Sequence, residues 1–275
     1  MRHAIYLPPF GELADPRTIA DLAHAADERG WDGFFVWDHV LSTVEGDWEI
    51  SDPWIVLAAA AMVTDQIKLG PMVTPLPRRR VMKLARETVT LDRLSGGRLI
   101  LGLGIGSDMG REYSAFDEDT NARRHGQLLD EGTAVLTQLW AGETVRHRGG
   151  IVVDGVRAIP GPVQQPRIPL WFATTRTTGR PVQRAARYDG IFPFGVDVAG
   201  IARIAKAIKT LRGSLDGFDI AVAAQRDGSD ESYRAAGVTW IMHGFWPGDR
   251  PEQVLRLINH GTPDNHCRSS GLSSQ

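Results

Sequence analysis

An acid and a histidine follow directly after an apolar run that is typical of a buried strand. The run spans residues 33–36, and Trp37, Asp38 and His39 come next. A histidine exchanges protons near neutral pH, and a neighbouring carboxylate can fix its surroundings or cap the next helix. The same pattern fits a loop histidine beside a structural aspartate, and position alone leaves the two interpretations even. Asp38 and His39 are therefore catalytic candidates.

Glycines occupy every second position of a later apolar segment, at Gly102, Gly104 and Gly106. Missing side chains on one face of a strand let a flat ring system approach the backbone closely. The spacing is not the G-x-G-x-x-G of a dinucleotide fingerprint, and no strand ending in an acid follows about twenty residues on. The segment therefore predicts a ring-binding face that includes Gly104, Ile105, Gly106 and Ser107.

A polar loop from Thr174 to Arg180 comes before a predicted helix. Its hydroxyls, backbone N–H groups and arginines, together with the helix start, are typical of a phosphate site. The loop lacks the G-K-[ST] of a P-loop, and a polar helix cap is the alternative interpretation. We favour phosphate binding and take Thr174, Thr175, Gly179 and Arg180 as contacts. Barrel phosphate sites more often follow strands seven and eight, so this position departs from the usual one.

The elements that must position these residues alternate regularly along the chain. Eight short apolar runs, mostly continuous as in parallel strands buried on both faces, alternate with amphipathic helical stretches. The runs span residues 4–7, 33–36, 67–70, 99–103, 169–173, 190–194, 219–223 and 238–242. Alternation predicts a parallel α/β fold, and eight units favour a closed (β/α)8 TIM barrel with its active site at the carboxyl ends of the strands. The pattern alone leaves an open sheet as the alternative.

The chain length of 275 residues matches one such barrel, which typically has about 250. We expect a single domain over residues 1–261. The interval of about 107–168, after the fourth strand, is interpreted as an insertion with a long helix (122–140) and a hairpin, and is expected to lie over the active-site face. The polar tail, 262–275, is expected to be disordered.

Composition excludes several classes of function. A net charge of −2 gives no nucleic-acid footprint, and no apolar run approaches the 18 or so residues of a membrane span. A single cysteine, Cys267, excludes an intrachain disulfide and a cysteine zinc cluster. With no signal-like N-terminus, these features predict a cytoplasmic protein. The basic run Arg78–Arg80 is interpreted as a solvated helix start, with an anion contact as the lesser alternative.

Taken in order, five motifs resemble the bacterial-luciferase-like superfamily, and the resemblance spans residue 1 to about 260. The Leu-Ser-Gly-Gly-Arg run before the glycine-rich strand is its most specific part. The motifs are Trp37-Asp38-His39, Met72-Val73-Thr74, Leu91–Arg98, Gly102–Gly106 and Arg184–Gly190.

The resemblance implies a TIM barrel that binds FMN or the deazaflavin coenzyme F-420, with the ring across the barrel mouth. In the deazaflavin branch the position of His39 lies near the reactive ring and that of Asp38 contacts it. The Met72-Val73 bond, next to Thr74, matches a position where the family often has a non-proline cis peptide that backs the ring. The loop 174–180 aligns with the family's phosphate contacts.

Departures from the family pattern bear on the substrate. Ser107 stands where the deazaflavin sugar-phosphate dehydrogenases carry a glutamate, with Asp108 and Glu112 nearby, and the usual Gly-Gly-Pro phosphate loop is replaced. No basic residues for gripping a substrate phosphate are evident. We therefore expect a small organic substrate other than a sugar phosphate, and a homodimer is compatible with the resemblance.

Four functions remain in consideration. The first is an F-420-dependent oxidoreductase in which His39 donates or accepts a proton. The second is an FMN-dependent monooxygenase that uses O₂ and reduced flavin from a separate reductase. The third, a metal-dependent hydrolase, has only Asp38, His39 and His243 as candidate ligands, too few for such a site. The fourth is a non-enzymatic cofactor-binding protein.

Overall fold

The computed structural model describes residues 1–42, 44–224 and 229–262, and eleven strands lie within those ranges. The strands are β1 (Arg2–Leu7), β2 (Gly33–Val36), β3 (Lys68–Pro71), β4 (Thr74–Pro75), β5 (Leu101–Gly104), β6 (Val145–Arg148), β7 (Val152–Val156), β8 (Leu170–Thr174), β9 (Gly190–Pro193), β10 (Asp219–Ala223) and β11 (Trp240–Gly244). Nine of them form one parallel sheet in the order β3-β2-β1-β11-β10-β9-β8-β5-β4. Because β3 and β4 are two pieces of one strand, the sheet has eight barrel strands.

The sheet closes where the third barrel strand meets the fourth. The N–H of Ile100 donates to the carbonyl of Leu69 at 2.9 Å, and the N–H of Leu69 donates to Arg98 at 3.1 Å. Gly70 makes this approach feasible, because a Cβ there would lie 1.8 Å from the carbonyl oxygen of Ile100. The closed barrel predicted from the sequence is confirmed, and the open sheet is excluded.

Helices pack around the barrel, and one of them follows each of its eight strands. They are α1 (Pro16–Glu28), α2 (Pro53–Met62), α3 (Val81–Leu94), α4 (Ala122–Trp140), α5 (Arg180–Ala185), α6 (Val198–Arg212), α7 (Asp230–Ala235) and α8 (Pro251–His260). The carboxylate of Asp15 caps α1 by accepting from the N–H groups of Arg17 and Thr18. The sequence pattern predicted the positions of all of them except α7.

Large aromatic side chains fill the barrel interior. The rings of Phe35, Trp171 and Trp240 lie with their centroids 5.5–6.0 Å apart, and all three residues are buried. A barrel packed in this way has no channel along its axis. A ligand therefore cannot bind inside the barrel beneath these rings.

The structure corrects the expected insertion. Helix α4 packs against α3 and buries Leu129, Leu136 and Trp140, so it is the fourth helix of the barrel itself. The antiparallel β6–β7 hairpin was predicted, but it lies against α4, where Glu131 accepts from the N–H of Ile151 at 3.1 Å. The expectation that the whole interval covers the mouth was wrong, because the interval includes a regular barrel helix. Only residues 105–121 extend from the mouth end of β5.

Thr262 is the last described residue and is buried. The rest of the tail expected to be disordered, including Cys267, lies outside the described residues. Within the described ranges, none of the helices is long and apolar enough to cross a membrane.

Candidate active site

The predicted site residues all lie where barrel strands end. Asp38 and His39 follow β2, Met72 and Val73 separate β3 from β4, and the segment 104–107 closes β5. The loop 174–180 follows β8. Because parallel strands place their carboxyl ends at the same rim, the structure brings these segments to one end of the barrel.

The Asp38 carboxylate is fully buried and is held by three side chains. Its Oδ2 accepts from the hydroxyl of Thr74 at 2.7 Å, and its Oδ1 accepts from Arg79 at 2.7 Å and from Arg78 at 3.1 Å. The side chain of Arg78 is only 7% exposed and that of Arg79 only 16%. The interpretation of this basic run as a solvated helix start was therefore wrong for its first two residues. Asp38 ties the β2 loop to the segment after β4.

His39 is paired with a buried glutamate from the loop after β5. Its Nδ1 lies 2.9 Å from Oε2 of Glu112, and the histidine side chain remains 24% exposed. Oε1 of Glu112 accepts from the N–H of Val40 at 2.7 Å and pairs with Arg78 at 2.7 Å. Burial raises the pKa of Glu112, but the hydrogen bond from His39 and the charges of His39 and Arg78 outweigh it and hold that pKa below its usual value. Glu112 is therefore an anion at neutral pH.

Sequence reasoning noted Glu112 only as a neighbour of Ser107 and assigned it no role. Its loop is anchored by Asp108, whose Oδ1 accepts from the N–H groups of Tyr113 and Ser114 at 2.9 and 3.0 Å. The hydroxyl of Tyr113 donates to the carbonyl of Ile105 at 3.0 Å. This fixed loop is what carries Glu112 to the β2 end.

The Met72-Val73 peptide bond is cis, as the resemblance implied. The hydroxyl of Tyr6, buried in the barrel interior, donates to the carbonyl of Met72 at 2.8 Å. Met72 is buried and Val73 is partly exposed, so this bulge forms part of the floor of the mouth. Thr74 is buried and its hydroxyl is used by Asp38.

The glycines of β5 make room for that bulge. A Cβ at Gly102 would lie 2.5 Å from the carbonyl oxygen of Pro71 and 2.6 Å from Sδ of Met72, and one at Gly104 would lie 2.8 Å from Val73. The sequence interpretation gave this space to a bound ring, and the structure corrects it, because protein atoms fill the space.

The residues that follow β5 turn towards solvent. Gly106 has a φ of +74°, and a Cβ there would lie 2.3 Å from the hydroxyl oxygen of Tyr113. Ile105 and Gly106 are partly exposed and Ser107 is exposed. The hydroxyl of Ser107 accepts from the N–H of Met109 at 3.2 Å. These residues thus lead into the loop that carries Glu112.

The predicted phosphate loop is open to solvent after its first residue. The Thr174 hydroxyl is buried and bonds both the N–H and the carbonyl of Arg176, at 2.9 and 3.0 Å. Thr175, Gly179 and Arg180 are exposed, and a Cβ at Gly179 would meet no atom within 4 Å. The loop therefore offers cations and space for an anionic group, although Thr174 is used locally.

A cavity of about 320 Å³ adjoins this loop on the outer side of the barrel. Arg180, Arg184 and Arg187 line it together with Asp130, which Arg184 contacts at 2.6 Å. Cationic side chains outnumber the single carboxylate there. An anion bound at residues 175–180 would lie beside positive charge.

Apolar side chains are exposed on several loops at the mouth end. They follow β2, β5, β9 and β11 and are Val40, Met109, Phe116, Phe194 and Trp246. Trp246 is 60% exposed and packs edge-on against the buried Trp37, with centroids 5.5 Å apart. Such a rim suits an uncharged organic molecule better than a phosphorylated one.

His243, a candidate metal ligand from the sequence, lies on the outer side of the barrel wall. Its Nε2 is 3.1 Å from Nδ1 of His3, and Trp31 packs edge-on against its ring. Burial, followed by the charge of His3, lowers the pKa of His243 to about 4. Within the ranges that the structure describes, no three histidine, cysteine or carboxylate side chains converge in a way that could hold a metal ion.

A sequence model of luciferase-like monooxygenases matches residues 2–249. The chain belongs to the luciferase-like monooxygenase family. An uncharacterized protein of Mycobacterium bovis, Mb0978c, is 30% identical over 228 residues, which cover 77% of this chain and 76% of that protein. The F-420-dependent hydroxymycolic acid dehydrogenase of Mycobacterium tuberculosis is 32% identical over 136 residues, 48% of this chain and 38% of its own length. The uncharacterized protein y4wF of Sinorhizobium fredii is 32% identical over 169 residues, 60% of this chain and only 46% of that protein.

Two solved structures show the same fold as this chain. The F-420-dependent tetrahydromethanopterin reductase of Methanopyrus kandleri superposes with a TM-score of 0.76 at 18% identity, covering 96% of this chain and 99% of that one. The monooxygenase RslO1 of Streptomyces bottropensis gives a TM-score of 0.76 at 20% identity, covering 97% and 100%. A reductase and a monooxygenase thus share the barrel fold of this chain.

Proposed function

We propose that this protein is an oxidoreductase that uses coenzyme F-420 to exchange a hydride with a small, uncharged organic substrate. The observation that carries the proposal is the exposed edge of His39 at the mouth, held by the buried carboxylate of Glu112 at 2.9 Å. Hydride transfer at a carbon that bears oxygen must be matched by transfer of a proton. A positioned histidine supplies that proton exchange near neutral pH.

The residues present fit a ribityl-phosphate cofactor of this kind. The Met72-Val73 bulge, held by Tyr6, would support the ring from below. The exposed segment from Thr175 to Arg180 would hold the phosphate, with the arginine-lined cavity beside it. When bound, such a deazaflavin supplies hydride transfer at its ring carbon.

Other residues keep His39 in place and exclude water. Asp38 does so through its buried contacts with Thr74 and Arg79, rather than by entering the chemistry itself. The apolar rim, with Trp246 packed on Trp37, covers the substrate and reduces its contact with water.

The relatives support F-420 over FMN without deciding between them. Two of the similar characterized proteins are F-420-dependent dehydrogenases, one from Mycobacterium tuberculosis and one from Nakamurella multipartita that acts on glucose 6-phosphate. The alignments span less than half the length of either relative, at 38% and 41%. We therefore infer the cofactor class from these relatives and the kind of substrate from the exposed apolar side chains at the mouth.

The test is a fluorescence titration of the purified protein with F-420 and, separately, with FMN. We expect F-420 to bind with a Kd well below roughly 100 μM, about −5.5 kcal/mol, and FMN to bind more weakly. The variant Arg180→Gln should weaken binding, whereas Arg146→Gln, on the exposed hairpin, should not. Absence of F-420 binding would refute the proposal.

A monooxygenase activity with FMN is the second candidate, because RslO1 matches nearly the full length of this chain. It predicts that FMN reduced by a separate reductase binds more tightly than F-420. It also predicts consumption of O₂ by the loaded protein. Measurement of O₂ uptake with reduced FMN therefore separates the two candidates.

A further inference from the structure

We infer that Glu112 is a positioning residue that fixes His39 as the Nδ1–H tautomer and leaves Nε2 as the proton acceptor at the barrel mouth. The tautomer follows from geometry alone. Its use in turnover rests on the proposed function, so the two are tested by separate measurements.

The Glu112 carboxylate is held in its charged form by hydrogen bonds and by an ion pair. Oε1 accepts from the N–H of Val40 and pairs with Arg78, both at 2.7 Å, while Oε2 faces Nδ1 of His39 at 2.9 Å. The glutamate side chain is 1% exposed, so water does not compete for these positions. An ionised carboxylate can only accept hydrogen bonds.

The state of the histidine follows from that of its partner. Since Oε2 of Glu112 can only accept, Nδ1 of His39 must carry the proton. A neutral imidazole has one donor and one acceptor nitrogen, so Nε2 is then the acceptor. The rings of Phe10 and Trp37 lie edge-on to the imidazole at centroid distances of 6.1 and 5.8 Å and restrict its rotation.

This arrangement specifies a proton step for an alcohol substrate. As the C–H hydrogen leaves with its electron pair for the cofactor, the O–H bond breaks and its proton passes to Nε2 of His39. The C–O bond becomes C=O, and the histidine becomes a cation that the charge of Glu112 stabilises. In the reverse direction Nε2–H returns the proton to the carbonyl oxygen.

The distinguishing variant is Glu112→Gln, which keeps the size of the side chain. The N–H of Val40 donates to Oε1 and the positive charge of Arg78 lies 2.7 Å from it, so both favour the amide oxygen at that position and direct the NH₂ group towards Nδ1 of His39. An NH₂ group donates, so the proton should move from Nδ1 to Nε2. The variant therefore inverts the tautomer and should lower turnover by roughly 100-fold or more.

The readout is ¹⁵N NMR of histidine-labelled protein without cofactor, at a pH where His39 is neutral. The two ring nitrogens give distinct shifts when protonated and unprotonated, and the His39→Gln variant assigns the signals. We expect Nδ1–H in the wild-type protein, Nε2–H in Glu112→Gln and a return to Nδ1–H in Glu112→Asp. An Nε2–H tautomer in the wild-type protein would overturn the inference, even if no variant folds.

A matched control lies on the hairpin side of α4. Oε2 of Glu131 lies 3.1 Å from Nε2 of His147, so the barrel carries a second glutamate–histidine pair away from the mouth. The variant Glu131→Gln should alter the His147 signals and leave those of His39 and the turnover rate unchanged. If the tautomers behave as expected but F-420 does not bind, the proposed function fails and the inference about Glu112 stands. If F-420 binds but Glu112→Gln leaves the His39 tautomer unchanged, only the inference fails.

Discussion

The substitution Asp38→Asn tests whether the first acidic residue of the mouth acts through structure or through chemistry. Removing one partner of a buried ion pair costs about 3–5 kcal/mol, because the remaining charge stays buried. In this variant Arg78 would still pair with Glu112 at 2.7 Å, whereas Arg79 would lose its ionic partner. The Arg79 side chain is 16% exposed, so water reaches part of its charge. We therefore expect the lower end of that range, about 3 kcal/mol less free energy of unfolding.

The assay is urea unfolding at pH 7, followed by circular dichroism, with the melting temperature as a second readout. A loss of about 3 kcal/mol should lower Tm by roughly 10 °C. The double variant Asp38→Asn with Arg79→Met should recover much of this loss, because it removes the buried cation as well. Asp154→Asn is the control, since Asp154 and Arg146 are both about three-quarters exposed and 3.9 Å apart. Its free energy of unfolding should change by less than roughly 0.5 kcal/mol.

The reasoning is refuted if Asp38→Asn unfolds at the same urea concentration as the wild-type protein. Such a result, together with a large loss of turnover, would return Asp38 to the catalytic role that its sequence position first indicated. Equal losses in the single and the double variant would show that Arg79 is not the cation left unpaired.

Two further predictions concern other parts of the barrel. Because burial lowers the pKa of His243 to about 4, against an unfolded value near 6.5, the unfolded chain binds more protons below pH 6.5. His243 should therefore leave stability unchanged above that pH and lower the free energy of unfolding by about 2 kcal/mol at pH 5. Urea titrations at pH 7 and pH 5 should show that His243→Gln abolishes this loss. An unchanged pH dependence in the variant would contradict the reasoning. Gly102→Ala should destabilise more than Gly104→Ala, because the new Cβ would lie 2.5 Å from the backbone oxygen of Pro71 rather than 2.8 Å from the side chain of Val73. The reverse order of urea midpoints would show that Val73 is the less adaptable neighbour.

Much of the barrel could be predicted from the sequence because its strands are buried on both faces. Continuous apolar runs marked all eight barrel strands, and helical spacing marked the face of α1 that packs on them. What failed was the assignment of α4, since interval length does not distinguish a barrel helix from an inserted one. The sequence also did not decide whether the sheet closes into a barrel. Closure depends on a close contact between Gly70 and Ile100, which are distant along the chain.

The sequence predicted where the site residues lie, but not which side chains they contact. A residue type and its distance from a strand end were enough to place His39 and Asp38 at the mouth. Arg79, the partner of Asp38, lies 41 residues away along the chain, and Glu112, the partner of His39, lies 73 residues away. The type of a single residue does not reveal such partners, because an arginine run or a lone glutamate is more often solvated. Similarly, Gly104 was predicted to make room for a bound ring, whereas the structure places the side chain of Val73 against it. A glycine in the sequence does not reveal which atoms pack against it.

The loop after β5 has consequences for how this barrel could acquire new substrates. Glu112 is fixed by contacts to two other loops, whereas Met109 and Phe116 on the same loop are 83% and 56% exposed. Natural variation or laboratory loop grafting can therefore diversify the two apolar positions freely. Replacing the whole loop would remove the support of His39 at the same time. A library that randomises only positions 109 and 116, and so keeps Glu112 with its anchors Asp108 and Tyr113, should therefore retain far more active clones than one that randomises all of residues 107–116.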